Sequence, residues 1–410
     1  MATSSSSLGA SFSEVEGERY PQLRALVVSC VPFFSEVEPS EEGLHIKMLQ
    51  GGITNQLYKI TAPSLLTAAT SSSSKTSSGC THSVVVRIFG KETDKIISRD
   101  AEQFWQSKFL KTFGKYESAL VYEYLDGFRP LDYPEMSIPK YAQPIARELA
   151  RFHDHAARVS TFSTSQHGPN FLQVFATKWV PMVLDRADVS KRVVDGKGDT
   201  EGFESYSSLH WSDTVPMGSS VVTVLERELI ELGQVLALLQ AKGELPTGIC
   251  HNDLLSGNIM VRDGAEGEGG VPDVKLIDFE YAQSCYTYYD IANHLCEWAG
   301  FDCEYEKFFP TKDAVKLFLK DYFGEGARLV SGGANGGGNI DAAISEKELD
   351  RAADIVLFFS LYSHLVWAVW AVIQGMYSVI DFPYLPYSTL RWGQYLRTKE
   401  QFINPLLPTE

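Results

Sequence analysis

Two periodicities divide the chain. Over the first third, short apolar runs at 44–49, 56–61, 83–89 and 121–125 have the length and the β-branched or aromatic content of strands. The run at 83–89, SVVVRIF, predicts a central strand carrying one charge, Arg87. Two stretches break this rhythm with helical spacing. At 21–31, Leu23, Leu26, Val27 and Cys30 share a face, and 96–113 is amphipathic with Glu102 inside it. Asp126-Gly127 ends the strand region as a turn into helices. Beyond it the spacing predicts helices at 144–155 (proline in its first turn), 223–242, 290–298, 311–323 and 346–376. The expected division is a disordered tail at 1–17, a small strand-rich lobe at 18–125 and a mainly helical lobe at 126–410.

Segments without periodicity mark the connections. Gly51-Gly52-Ile53-Thr54-Asn55 reads as a turn between two strands. The stretch 68–78 is almost all Ala, Ser and Thr and reads as a mobile insertion; 331–338 is a Gly-rich loop, and 185–220 is polar and rich in Gly and Ser. No internal repeat is present. The run 355–373, IVLFFSLYSHLVWAVWAVI, is nearly long enough to span a bilayer. It contains Ser360, Ser363 and His364, runs straight into Gln374 and lacks a flanking basic cluster, so a buried helix of a large lobe is the better account.

Composition narrows the partners. With 410 residues and 44% hydrophobic content, the chain can bury a sizeable core. A net charge of −16 argues against nucleic acid and against anionic membrane surfaces as partners, and suits a cationic substrate. The six cysteines form no Cys-x-x-Cys pair and no zinc-spaced cluster, which predicts reduced thiols in a cytoplasmic protein. The N-terminus has neither a basic nor an apolar region of a secretory signal.

The chemistry concentrates between Cys250 and Glu280. His251-Asn-Asp253 is followed five positions later by Asn258, then by apolar 259–261, a Gly-rich turn, apolar Val274, Leu276 and Ile277, and Asp278. This predicts two short strands joined by a hairpin-like loop, with polar side chains at the entry and at the far end. An Asp, an Asn five residues on, and a second Asp after a short strand is the set that phosphoryl transfer uses in protein kinases. Asp253 then orients or deprotonates the acceptor hydroxyl, and Asn258 and Asp278 offer oxygens to Mg²⁺. The bland alternative makes Asp253 a turn or cap residue and Asp278 a strand terminator.

Other candidates are weighed the same way. Arg87 and Glu102 could form a phosphate-contacting pair; otherwise Arg87 is an edge-strand charge facing water. The backbone of 51–55, with Gly52, Thr54 and Asn55, could cover phosphates, and plain hairpin chemistry explains it equally well. Asp290 could buttress the catalytic loop or cap a helix, and the two roles are compatible. Glu297 either faces a cationic substrate or is solvated. Trp367 and Trp370, three apart on a helix, either wall a cation site or pack in the core.

Together GGITNQLYKI, VVVRIFG with SRDAE, CHNDLLSGNIM, VKLIDFEYA, YDIANHLCEWAG and SHLVWAVWAVIQ resemble the choline/ethanolamine kinase family. The resemblance implies an α+β, protein-kinase-like two-lobed fold, with a small β-rich N-lobe and a large mainly helical C-lobe. It implies ATP- and Mg²⁺-dependent phosphorylation of a small amino alcohol. By matching motifs, Asp253 resembles the catalytic aspartate, Asn258 and Asp278 the metal ligands, and Arg87 the phosphate-contacting arginine. Glu297, Trp367 and Trp370 resemble substrate-pocket residues, and Asp302 is counted with them. Choline kinases tend to be richer in tyrosine around 298–303; Gly300 and Asp302 here look more like ethanolamine kinases. Ethanolamine is therefore the expected substrate, with choline or dual specificity as the alternative. A non-catalytic nucleotide-binding module and an aminoglycoside-type kinase are the competing classes, and a homodimer is allowed for.

Overall fold

The computed structural model describes residues 12, 16–37, 39–40, 43–49, 55–62, 82–89, 97–159, 170–183, 221–264, 270–325, 344–378 and 380–408. The expectations for Gly52, Thr54 and the stretches 68–78, 185–220 and 331–338 lie outside the described residues. The chain divides into two compact units, Met1–Phe128 and Arg129–Glu410.

The first unit contains α1 (Glu16–Cys30), β1 (His45–Leu49), β2 (Asn55–Ala62), β3 (His82–Phe89), α2 (Arg99–Phe109), β4 (Thr112–Lys115) and β5 (Ala119–Glu123). The strands form one antiparallel sheet in the order β1-β2-β3-β5-β4, so β3 is central. Period-two alternation sends Val84 and Val86 to one face, where they join Tyr58, Ile60, Val121 and the α1 residues Leu23 and Val27 in a buried cluster. Val85 and Arg87 alternate to the other face. The single helix expected over 96–113 is shorter. Ser98 caps α2, Leu110 is already extended, and Thr112–Lys115 pairs with β5. Cross-strand pairing wins there, helped by Thr112 and Phe113, which suit strands.

The second unit contains β6 (Arg129–Pro130), α3 (Pro139–Val159), α4 (Val221–Ala241), β7 (Thr247–Cys250), β8 (Ile259–Arg262), β9 (Asp273–Leu276), β10 (Gln283–Tyr286), α5 (Thr287–Cys296), α6 (Lys312–Gly324), α7 (Glu346–Tyr377) and α8 (Tyr384–Ile403). Pro139, not Pro144, opens α3; Pro144 lies inside it and removes one backbone donor. Burial of Ile145, Ala146 and Leu149 holds the helix through that loss. Helix α7 starts at a capping box between Ser345 and Glu348. It is long and apolar enough to cross a membrane, yet its apolar window is wholly buried, with α5, α6 and α8 packed on it. It is a core helix. No helix was expected at 384–403, because the buried face of α8 includes Ser388, Arg391, Gln394 and Thr398, which break the apolar pattern.

Two small ladders place the loops that matter. Cys250 pairs with Gln283 across β7 and β10, and Ile259 pairs with Leu276 across β8 and β9. The intervening loops, 251–258 and 277–282, are thus pinned side by side at both ends.

After α5 a 3₁₀ turn, Glu297–Ala299, ends at Gly300, whose φ of 63° and ψ of −176° belong to a region that essentially only glycine occupies. A Cβ there would sit 2.8 Å from the ring of Tyr133. Gly300→Ala should therefore lower the unfolding free energy by about 1–3 kcal/mol or more, read as a lower midpoint in denaturant with unchanged slope.

Candidate active site

Asp253 and Asn258 come together as a direct consequence of the pinned loop. The Asn258 amide donates to Asp253 O at 2.7 Å and to Asp253 Oδ2 at 3.2 Å. Its oxygen is thereby turned away from Asp253, and no donor meets it among the described residues. The facing loop is tied on by His251 Nε2 to Ile277 O (2.9 Å), by Ile277 N to Asn258 O (3.0 Å) and by Asn252 Nδ2 to Tyr281 O (2.9 Å). Asp278 sits in this facing loop at φ 67°, and Asn252 in the first at φ 63°. Left-handed backbone at a non-glycine residue is costly and concentrates at functional sites.

The charges acting on Asp253 are acidic. Burial pushes the Asp253 carboxyl well above its ordinary range, and the charges of Glu280, Asp278 and Glu297 push it further, against the opposing hydrogen bond from Asn258. Asp253, Asp278 and Glu280 with the side-chain amide of Asn258 offer only oxygen donors, the chemistry a hard divalent cation requires. Crowded negative charge is what such an ion relieves, so the residues fit Mg²⁺.

Behind the loop stands α5. Asp290 accepts from His251 N and Asn252 N, both at 2.7 Å, and contacts His153 Nε2 at 2.9 Å. It is the fourth residue of α5, whose cap position is Tyr286, so the helix-cap alternative fails and the buttress is what the structure contains. Burial alone would raise its carboxyl; the bond to His153 and the nearby histidine and amide groups outweigh that and hold it below its ordinary value. One turn on, Asn293 Nδ2 donates to Asn252 O at 3.1 Å, and His294 Nδ1 meets Leu254 O at 2.9 Å. Three side chains on one helix face therefore fix four peptide units of the catalytic loop, on both sides of Asp253.

The remaining expectations divide. Arg87 is 2% exposed on the central strand and pairs with Glu102 at 3.2 Å, so the water-facing alternative is wrong. Glu102 also binds Arg99, whose Nη2 lies 3.5 Å from Asn55 Oδ1. Trp367 and Trp370 share a face, with ring centroids 5.4 Å apart. Their N–H groups are directed at the site's scaffold: Trp367 to Asn293 Oδ1 (2.6 Å), Trp370 to Tyr281 OH (2.9 Å). Glu297 is buried, not solvated, and its carboxylate is held by Arg391. Asp302 is exposed on the turn after Gly300, and no bond joins it to Glu297 or to the indoles. Glu280, Asn293, His294 and Arg391 were missed. Glu280 had a signal, two positions past Asp278; Arg391 had none, being a lone arginine outside any motif.

The family model for choline/ethanolamine kinase matches residues 46–396. Among curated proteins, a probable ethanolamine kinase of Arabidopsis thaliana is 31% identical, covering 86% of this chain and 79% of its own length. Probable ethanolamine kinase A of Dictyostelium discoideum is 28% identical, covering 89% and 88%. The solved ethanolamine kinase of Plasmodium vivax superposes with a TM-score of 0.65 at 22% identity, covering 93% of this chain and 89% of that one, and supports the fold.

Two measurements probe the scaffold. Asp290→Asn offers one acceptor oxygen where three donors converge, so kcat should fall by about 100-fold through misplacement of the loop, with faster amide exchange at 251–254. His294 is held neutral, with burial lowering its pKa from 6.5 to about 4, and its Nε2 accepts from Trp298 Nε1 at 3.2 Å. The unfolded chain takes up this proton first as pH falls. Stability is therefore complete above 6.5 and is lost between 6.5 and about 4, with a contribution from this group of up to about 1.4 kcal/mol per pH unit. Denaturant titrations across that window should show a shallower slope in His294→Asn.

Proposed function

Because the chain belongs to the choline/ethanolamine kinase family, we propose that it transfers the terminal phosphoryl group of ATP to the hydroxyl of ethanolamine, giving phosphoethanolamine and ADP. The observation that carries this reading is a shared scaffold. The loops presenting Asp253, Asp278 and Glu280 are hydrogen-bonded, through Asn293 and Tyr281, to the two indoles of Trp367 and Trp370. Anionic groups and aromatic faces held in one frame suit a small cation bearing a hydroxyl.

In the proposed reaction the substrate oxygen attacks phosphorus, its proton passes to Asp253, and ADP leaves. Asp253 acts chiefly by position, and its raised affinity for a proton suits a base that must accept one. The oxygens of Asn258 and Asp278 would hold Mg²⁺, which neutralises charge on the phosphates when bound. Arg87, kept in place by Glu102, would meet phosphate. Glu297 favours ethanolamine over choline, since a primary ammonium has three N–H donors that need oxygen acceptors and a quaternary one has none. The relatives named above as ethanolamine kinases support the same choice. The reaction would be the first step of the CDP-ethanolamine route to phosphatidylethanolamine. The cytoplasm is the proposed compartment, in keeping with Cys30, Cys250, Cys285, Cys296 and Cys303 as free thiols.

ADP release with ethanolamine, choline and one aminoglycoside separates the alternatives. Ethanolamine should give the highest kcat/KM; preference for choline would overturn the substrate, and silence with all three would favour a binding module. Asp253→Ala should lower kcat by about 1,000-fold or more while the melting temperature holds, because removing a crowded buried carboxylate relieves repulsion.

A further inference from the structure

Arg391 lies on α8, far along the chain from every catalytic motif, and is 1% exposed. Its guanidinium donates to Glu297 Oε1, to Tyr387 OH at 2.9 Å and to Tyr305 OH at 3.3 Å, and lies 3.5 Å from His364 Nδ1. Glu297 is thus the one carboxylate it meets among the described residues, and the other partners are neutral rings that hold the fork in plane. The pairing uses one oxygen of Glu297. The second, Oε2, accepts from no other side chain among the described residues.

Such a pair is a poor device for stability alone. Burying a carboxylate and a guanidinium costs desolvation that their attraction does no more than match, and apolar side chains of similar volume commonly do better. A buried pair that leaves one oxygen open has a different use. Glu297 follows directly on α5, the helix that fixes the catalytic loop through Asp290, Asn293 and His294, and its charge is felt at Asp253. A carboxylate locked from behind by Arg391 is therefore held at a set place relative to the reacting hydroxyl.

We infer that Arg391 is a positioning residue for substrate: it clamps one oxygen of Glu297 so that the other is presented to the ammonium group of the amino alcohol. This rests on the substrate reading above, and it assigns to α8 a part in recognising the substrate's cationic end. Arginine is required because its planar fork reaches two phenols and the carboxylate together; lysine supplies the charge without the fork.

Steady-state kinetics with ethanolamine and ATP test this in wild type, Arg391→Met, Arg391→Lys, Glu297→Gln and the double variant Glu297→Gln/Arg391→Met. Arg391→Met should raise the KM for ethanolamine by about tenfold or more, with kcat and the KM for ATP within about threefold. Arg391→Lys should fall between it and wild type, with a melting temperature near wild type. In the Glu297→Gln background, Arg391→Met should add less than about twofold, because the group it positions is gone. Equal effects in both backgrounds, or a parallel rise in the KM for ATP, would overturn the inference and leave Arg391 a packing residue. Should Arg391→Met not fold, Arg391→Lys decides alone: an unchanged KM for ethanolamine overturns the inference. An unchanged KM in Glu297→Gln would instead sink the role of Glu297 itself, and the inference with it.

Discussion

The backbone N–H groups of His251 and Asn252 both end on the carboxylate of Asp290, each at 2.7 Å. Those two donors have no strand to pair with, since β7 stops at Cys250. Left buried and unmet they would each cost about 1–3 kcal/mol. Asp290 satisfies both with one charged acceptor and so permits a loop whose next residue is Asp253. The carboxylate in turn needs compensation, and His153, itself bonded to Tyr322 OH at 2.7 Å, supplies it. Helices α3, α5 and α6 are thereby tied to a single peptide turn, and the position of Asp253 follows from all three.

The same economy of parts explains the second loop. Two short ladders of strands would be marginal alone. Here they are linked by polar contacts from one loop to the other, at His251, Asn252 and Asn258, and covered by Phe152 stacked on Phe279 with centroids 5.7 Å apart. The strained left-handed residues Asn252 and Asp278 lie where these ladders end. Strain at such points persists because the surrounding bonds over-determine the backbone.

What could be read in advance follows from which interactions are local. The β-hairpin of β8 and β9, the buried α7 and the Arg87–Glu102 pair were legible, because alternation, length and a lone charge in an apolar strand are local signals. Asp253, Asn258 and Asp278 were legible as a spacing, and the ladders show why that spacing brings residues 253 and 258 into contact. Helix α8 was not legible. Its inward residues Arg391, Gln394 and Thr398 are buried by partners far away in sequence, so no window around them looks apolar. The end of α2 was misjudged for a related reason: Thr112 and Phe113 take their conformation from β5. Glu297 is a candidate from sequence alone, but its orientation depends on Arg391, 94 positions further on.

Charge placement in the second unit completes the picture. Asp290 is answered by His153, and Glu228 by Lys399 and Tyr395 OH. Glu297 is answered by Arg391 on one oxygen alone. Asp253 is answered by an amide, and the charges of Glu280, Asp278 and Glu297 act on it repulsively. Side chains thus meet Asp290 and Glu228 in the scaffold, whereas Glu280, Asp278 and Glu297 act on Asp253 by repulsion. A folded chain gains no stability from leaving those acids crowded. A divalent ion and an ammonium, bound as proposed above, would bring positive charge among them.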